Sequence, residues 1–218
     1  GRNLIASSDI TINGGTIDKS RYATEGIIIF TANANYDGMR ITAKKLKPNS
    51  KYIFSYKYRK ISGTLESFGG HTDNTWSNNV VYVDGQKSDQ RYSSTDSVFV
   101  ADDTNIHTVE VHVITPDEIV ETDYIYIQPN RGRETEVTVE IIDWQLVRGD
   151  IVPDWTPAPE DVQEQIDEAK QEAEEAKQTA QQAQTTADGK NTVFRQSSQP
   201  STSGRKIGDV WFDTSRDN

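Results

Sequence analysis

The sequence of 218 residues contains no cysteine, a single methionine and three histidines. Without thiols there is no disulfide framework, no thiol nucleophile and no Cys-type zinc site. His71, His107 and His112 leave little for an imidazole metal centre. Apolar residues make up only 33% and the mean hydropathy is −0.73, so part of the chain is expected to have little core of its own. No run approaches the roughly eighteen apolar residues of a membrane-spanning helix, and no membrane association is expected. The net charge of −11 argues against nucleic acid as a partner. The chain opens Gly1-Arg2 rather than with Met and is expected to be a piece of a longer protein.

What is present falls into regions with different grammar. Residues 1–150 read as β-structure, with Ile, Val, Tyr, Phe and Thr runs separated by Gly, Asn, Asp and Ser clusters. Strands are expected at 27–31, 38–43, 51–59, 79–84, 97–101, 107–114, 122–128 and 136–147. Val109, Val111 and Val113 share one parity, with Glu110 and His112 on the other. Such alternation implies sheets with one buried face, and no helical period intervenes, so an antiparallel sandwich is expected. Tyr52, Phe54, Tyr56 and Tyr58 form an aromatic stripe at strand spacing and read as core or half-covered sheet face. In the last strand Val137, Val139 and Ile141 share one parity, whereas Ile142, Trp144 and Leu146 share the other. Either a β-bulge near Ile141-Ile142 or burial on both faces would reconcile them.

Residues 151–159 form a stiff Pro-rich linker, with Pro153, Pro157 and Pro159 removing backbone donors. Trp155 within it is expected to dock on a neighbouring surface. Residues 160–188 read as an Ala-rich helix. Val162, Ile166, Ala169, Ala173, Ala176, Ala180, Ala183 and Ala187 recur at alternating spacings of four and three, a coiled-coil seam. Acidic side chains outnumber Lys170 and Lys177 there and concentrate the negative charge. Each buried methyl contributes only ~0.8 kcal/mol, so an Ala seam is weak glue. The helix either self-associates with help from flanking domains, stands alone in solvent, or packs elsewhere on the protein. In residues 189–218, Val193-Phe194 and Val210-Trp211-Phe212 could pair as a hairpin. This short β-element is expected to need partner chains or further sequence to bury its surface.

The stretch WQLVRGDIVPDWTPAPEDV, residues 144–162, resembles the phrase that ends β-sandwich modules in tail proteins of phages infecting Gram-positive bacteria. DGKNTVF and GDVWFDT, within 188–214, resemble the element that often follows such helices. NLI at 3–5 and GMRITAKKLKPNSKYIFSYKYR at 38–59 look like early strands of the same modules. These modules are similar to jelly-roll carbohydrate-binding domains. The resemblance implies a jelly-roll β-sandwich, a coiled-coil stalk, commonly a homotrimer, and a place in the virion tail tip beside other tail proteins. It also implies a bacterial surface saccharide as partner. Such modules often carry a structural calcium; no ligand set for it is legible here, and no other cofactor is expected.

Saccharide binding needs flat aromatic faces and planar polar side chains. The loop at 68–79 offers Trp76 among His71, Asp73, Asn78 and Asn79, and the loop at 89–96 offers Arg91 and Tyr92. Alternatively Trp76 folds back over a sheet edge and the Asn residues are turn formers. Tyr124 and Tyr126 with His112 are a rival surface. Trp144, Trp155 and Trp211 read as structural. Carboxylates are plentiful, but no peptidase, glycosidase or nucleophile-elbow signature is legible, so no catalysis is expected. A structural spacer that binds no sugar and an enzyme accessory domain are the competing readings.

Overall fold

The structure is a computed structural model describing residues 1–69, 71–72, 76, 79–88, 91–92 and 97–216. Two compact units emerge, Gly1–Glu164 and Gln165–Asn218. The first contains β1 (Thr11–Ile12), β2 (Thr16–Asp18), a one-turn helix α1 (Tyr22–Glu25), β3 (Ile27–Ala32), β4 (Met39–Thr42), β5 (Lys51–Gly63), β6 (Ser67–Gly69), β7 (Val80–Val83), β8 (Gln86–Lys87), β9 (Arg91–Tyr92), β10 (Ser97–Phe99), β11 (His107–Ile114), β12 (Tyr124–Pro129) and β13 (Val137–Arg148). They form two antiparallel sheets, ordered β1-β4-β12-β6-β10-β9 and β2-β3-β13-β5-β11-β7-β8. From β3 to β7 the chain alternates between the sheets, a jelly-roll wrapping. Each long strand falls where the sequence places one. The short β1, β2, β6, β8 and β9 lack enough alternation to be read.

One core lies between the sheets. Phe54, Tyr56, Tyr58, Val109, Val111 and Val113 meet Met39, Ile41, Phe68, Ile125 and Ile127. The aromatic stripe of β5 is therefore core, from Tyr52 at 3% exposure to Tyr58 at 0%. Burying each large apolar side chain contributes ~1.5–3 kcal/mol, so this face decides the register of β5 against β11, from His107↔Tyr58 to Ile114↔Lys51.

The bulge expected in β13 is present, but later. The register slips between Ile142, paired with Lys57, and Gln145, paired with Ser55. Asp143 and Trp144 thus oppose one position, and Asp143 takes the left-handed conformation at φ 57°. Asp tolerates that region and a β-branched Ile does not, which is why the bulge avoids Ile141-Ile142. Ile141 points inward before it, and Trp144 and Leu146 point inward after it.

The Tyr22 hydroxyl donates to the Trp144 carbonyl at 2.6 Å. The Asn3 amide oxygen accepts from the Leu146 backbone at 3.2 Å. The linker is tied to the same corner. Gln145 Nε2 donates to Pro153 O at 3.1 Å, and Asn3 Nδ2 donates to Thr156 O at 3.4 Å. Trp155 docks edge-on against Tyr22, with ring centroids 6.0 Å apart. The Asp161 carboxylate accepts from Ser7 N at 2.8 Å, and Ala158 is fully buried. These ties carry the first unit past residue 150 to Glu164.

Helix α2 (Pro159–Gly189) begins in the first unit. The second unit holds the rest of it with β14 (Val193–Gln196) and β15 (Val210–Asp213). Along α2 the side chains described from Val162 onward are exposed, including Val162 at 42% and Ile166 at 43%. β14 and β15 pair in parallel, from Val193↔Val210 to Gln196↔Asp213, which corrects the hairpin expectation. The connection between them is long enough to carry the chain back to the starting end, as parallel pairing requires. Asp209 shapes its return by accepting from Lys206 N at 2.7 Å and Thr192 N at 2.5 Å. Among the described residues no helix is long and apolar enough to cross a membrane.

At the β7–β11 edge, His107 bridges Asp84 and Asp103, Nδ1 to Oδ2 at 2.7 Å and Nε2 to Oδ1 at 2.8 Å. Its ring stacks on Tyr58 at 5.2 Å. Burial alone would lower the imidazole pKa, but the two carboxylate hydrogen bonds outweigh it and hold it above the ordinary value. Both ring nitrogens can donate only in the imidazolium. A raised folded pKa contributes stability that is complete below about pH 6.5 and is lost as pH rises through the folded value. The melting temperature should therefore fall between about pH 6 and pH 9, and His107→Leu should flatten that slope. Parallel thermal melts of both proteins check this; an unchanged slope would refute the bridge.

Candidate functional site

The outer face of the seven-stranded sheet carries a cleft of about 620 Å³. Strand periodicity supplies its floor. With Tyr56 and Val109 turned into the core, Ser55 and Lys57 of β5, Thr108 and Glu110 of β11 and Tyr82 of β7 project outward. The β13 bulge adds Asp143 and Gln145, and the docked linker closes one side with Pro153, Asp154 and Trp155.

The floor is partly paired. Lys57 Nζ donates to Asp143 Oδ2 at 2.5 Å, Glu110 binds His112, and the His112 ring lies 5.1 Å from that of Tyr82. Gln145 is only 4% exposed, and its Oε1 has no hydrogen-bond partner. Asp154 is exposed and has no partner among the described residues. Gly26, at φ 71°, is needed for the wall. A Cβ there would stand 3.0 Å from Asp143 Oδ1 and 3.1 Å from the Trp155 ring. Two aromatic side chains, Tyr82 and Trp155, thus line one polar cleft, which suits the apolar face and hydroxyl rim of a pyranose.

The residues singled out in the sequence lie elsewhere. Trp76 is 4% exposed and belongs to the core, so it presents no ring face to a ligand. His71 is fully buried, with Nε2 2.9 Å from the Tyr56 hydroxyl and its ring against Phe54. Asn79 is 5% exposed and donates to Thr72 Oγ1 and, at 3.3 Å, to Trp76 O. The physical reason is topological. The segment after β6 leads to β7 in the other sheet, and Trp76 and His71 within it are buried. The polar neighbours of Trp76 in sequence gave no hint of the aromatic side chains that pack there.

Asp73 and Asn78 lie outside the described residues. Arg91 and Tyr92 form β9 and pair with Val98 and Ser97 of β10; their side chains lie outside the description. Tyr124 and Tyr126 sit on β12, with the Arg40 guanidinium 4.3 Å from the Tyr124 ring centre, whereas His112 sits on β11 of the other sheet. The rival surface is therefore split. Trp155 docks as expected yet also lines the cleft, a role the sequence did not reveal. The outward parity of Ser55, Lys57 and Glu110 was legible; the linker wall was not.

Among the described residues no group of three or more His, Asp or Glu side chains could hold a metal ion. The carbonyls of Ser7 and Ile10 converge on one point, but it is taken by the Lys19 ammonium at 2.7 and 2.8 Å.

No protein-family model matches the chain, and no curated protein matches it. Solved structures do. A CBM4 structure is 13% identical with a TM-score of 0.36, over 64% of this chain and 78% of that one. The CBM22-1 and GH10 modules of a Clostridium thermocellum endo-1,4-beta-D-xylanase, complexed with xylohexaose, are 12% identical with a TM-score of 0.43, over 68% of this chain and 28% of that one. The tripod from the baseplate of bacteriophage Tuc2009 is 12% identical with a TM-score of 0.41, over 73% of this chain and 59% of that one. The chain is thus similar to carbohydrate-binding modules and to a phage baseplate protein, at levels that carry no argument about its own ligand.

Because Trp76 is core, Trp76→Ala should cost ~3–5 kcal/mol in stability, the range for deleting a buried aromatic side chain. Chemical denaturation measures this; a cost below about 1 kcal/mol would return Trp76 to the surface.

Proposed function

We propose that the first unit is a non-catalytic saccharide-binding module used for adhesion to a bacterial host surface, with the cleft beside Trp155 as its site. The observation that carries the reading is the placing of Tyr82 and Trp155 on one polar cleft that contains a buried, unsatisfied Gln145 oxygen. Buried polar atoms are normally satisfied, so such an acceptor favours a ligand donor or bridging water. The phrase at 144–162, which resembles phage tail sandwich modules, supports a receptor-binding role at the tail tip of a phage of Gram-positive bacteria. Single contacts of this kind are weak, and display on several chains would multiply them by effective concentration.

The assembly half of the proposal is a homotrimer joined through a coiled coil at 160–188. It rests on the unbroken seam and on the exposed Val193, Val210, Trp211 and Phe212 of the second unit. These same surfaces would serve contacts with other tail proteins. They also favour the second reading, a structural spacer that binds no sugar.

Titration of the whole chain with purified Gram-positive wall polysaccharides tests adhesion. Saturable binding should weaken at least about tenfold in Tyr82→Ala and in Trp155→Ala, with the fold confirmed by circular dichroism. No binding across a broad panel, even on a multivalent support, would favour the spacer. Sedimentation equilibrium tests assembly: the chain should be trimeric, and Ile166→Asp should shift it towards monomer. A monomeric parent chain would refute the stalk.

A further inference from the structure

The chemistry of the cleft is one-sided, and this limits what can occupy it. Its carboxylates are Asp143, Asp154 and Glu110, and its lysine is Lys57. Lys57 is already committed to Asp143 at 2.5 Å. Glu110 is engaged by His112. Asp154 has no partner among the described residues. The cleft therefore holds an excess of negative charge that no side chain within it offsets.

The hydrogen-bonding inventory holds groups of both kinds. Gln145 offers an Oε1 acceptor with no donor, while its Nε2 is spent on Pro153 O. Carboxylates accept only. The backbone donors of β5 and β11 are used in the ladders between them and to β13 and β7 on their other sides. Trp155 Nε1 is likewise buried without a partner, and the Ser55 and Tyr82 hydroxyls can donate or accept, so the preference comes from the carboxylates and from the aromatic faces of Tyr82 and Trp155, whose negative quadrupole potential attracts cations.

Resting on the saccharide-binding reading of this site, we infer that the cleft selects an amine-bearing saccharide and rejects phosphate- or carboxylate-bearing wall polymers. An ammonium group meets Asp154, Glu110 and the ring faces, and its protons reach the vacant acceptors. An anionic substituent meets like charge in a recess that focuses the field. A hydroxyl satisfies the acceptors but gains nothing from the charge. The order of affinity is therefore amine, then neutral, then anion.

The test uses the whole chain and three matched β-1,4-glucan hexasaccharides that differ only at C6, carrying a hydroxymethyl, an aminomethyl or a carboxylate group. Calorimetric titrations are run at about pH 7.5 in low and high salt. The expected result is about tenfold tighter binding of the amine than of the neutral sugar at low salt, narrowing as salt is added, with the carboxylate weakest. Tyr82→Ala should abolish amine binding, which separates the cleft from diffuse attraction to an acidic protein. The double variant Asp154→Asn, Glu110→Gln should collapse the amine-to-neutral ratio towards one. Equal affinity for amine and neutral sugar, or preference for the carboxylate, overturns the charge inference and leaves the site in place. Binding of none of the three, or amine binding that survives Tyr82→Ala, overturns the site itself.

Discussion

The first unit depends on one irregularity, the slip in β13 at Asp143-Trp144. A regular strand would turn Trp144 and Leu146 outward, because parity carries through the whole length. One extra residue reverses that parity and lets Ile141 and Trp144 enter the same core. It also frees the Trp144 carbonyl to accept from Tyr22, which anchors α1 and the N-terminal segment. On the solvent side it aims Asp143 at Lys57 and exposes the Gln145 amide to the linker. Core, N-terminus and cleft therefore share a cause, and bulges beside binding sites are a recurrent device of sheets.

The linker shows how a segment without regular structure becomes part of a site. Pro153, Pro157 and Pro159 remove donors that a folded neighbour would otherwise have to satisfy. The segment is then held by its own carbonyls, which accept from Gln145 and Asn3. Gly26 leaves the space into which the Trp155 ring settles. The wall of the cleft is thus built from three distant pieces of chain, none of which carries the function alone.

The second unit follows different rules. Its helix draws on propensity, since Ala, Glu, Gln and Lys favour helix, and side-chain burial contributes little to it. Its two-strand pair leaves Trp211 39% and Phe212 52% exposed, although Trp211 Nε1 donates to Gln196 O at 3.0 Å. A structure with so little apolar burial gains stability from whatever covers it, which is the physical basis for linking it to assembly.

Much of the fold was legible because alternation is a local signal. The parity of β5 and β11 named the core stripe, and the 4-3 spacing with strong helix formers named α2. The parity break in β13 announced a bulge, although its place was set by which residue tolerates a left-handed backbone. The functional reading fared differently. Trp76, with only polar neighbours in sequence, looked exposed, yet on the way from β6 to β7 in the other sheet it joins the core. Trp155, in a linker, looked merely structural, yet it closes a cleft against four strands, β5, β7, β11 and β13. The β14–β15 pair took the parallel direction because the intervening loop returns the chain, which short apolar runs do not encode. By itself the sequence determined which segments are strand or helix and which faces are apolar, since those follow from residue spacing. Tertiary structure alone decided which aromatic rings are buried and which line the cleft, because that depends on what the rest of the chain brings to each face.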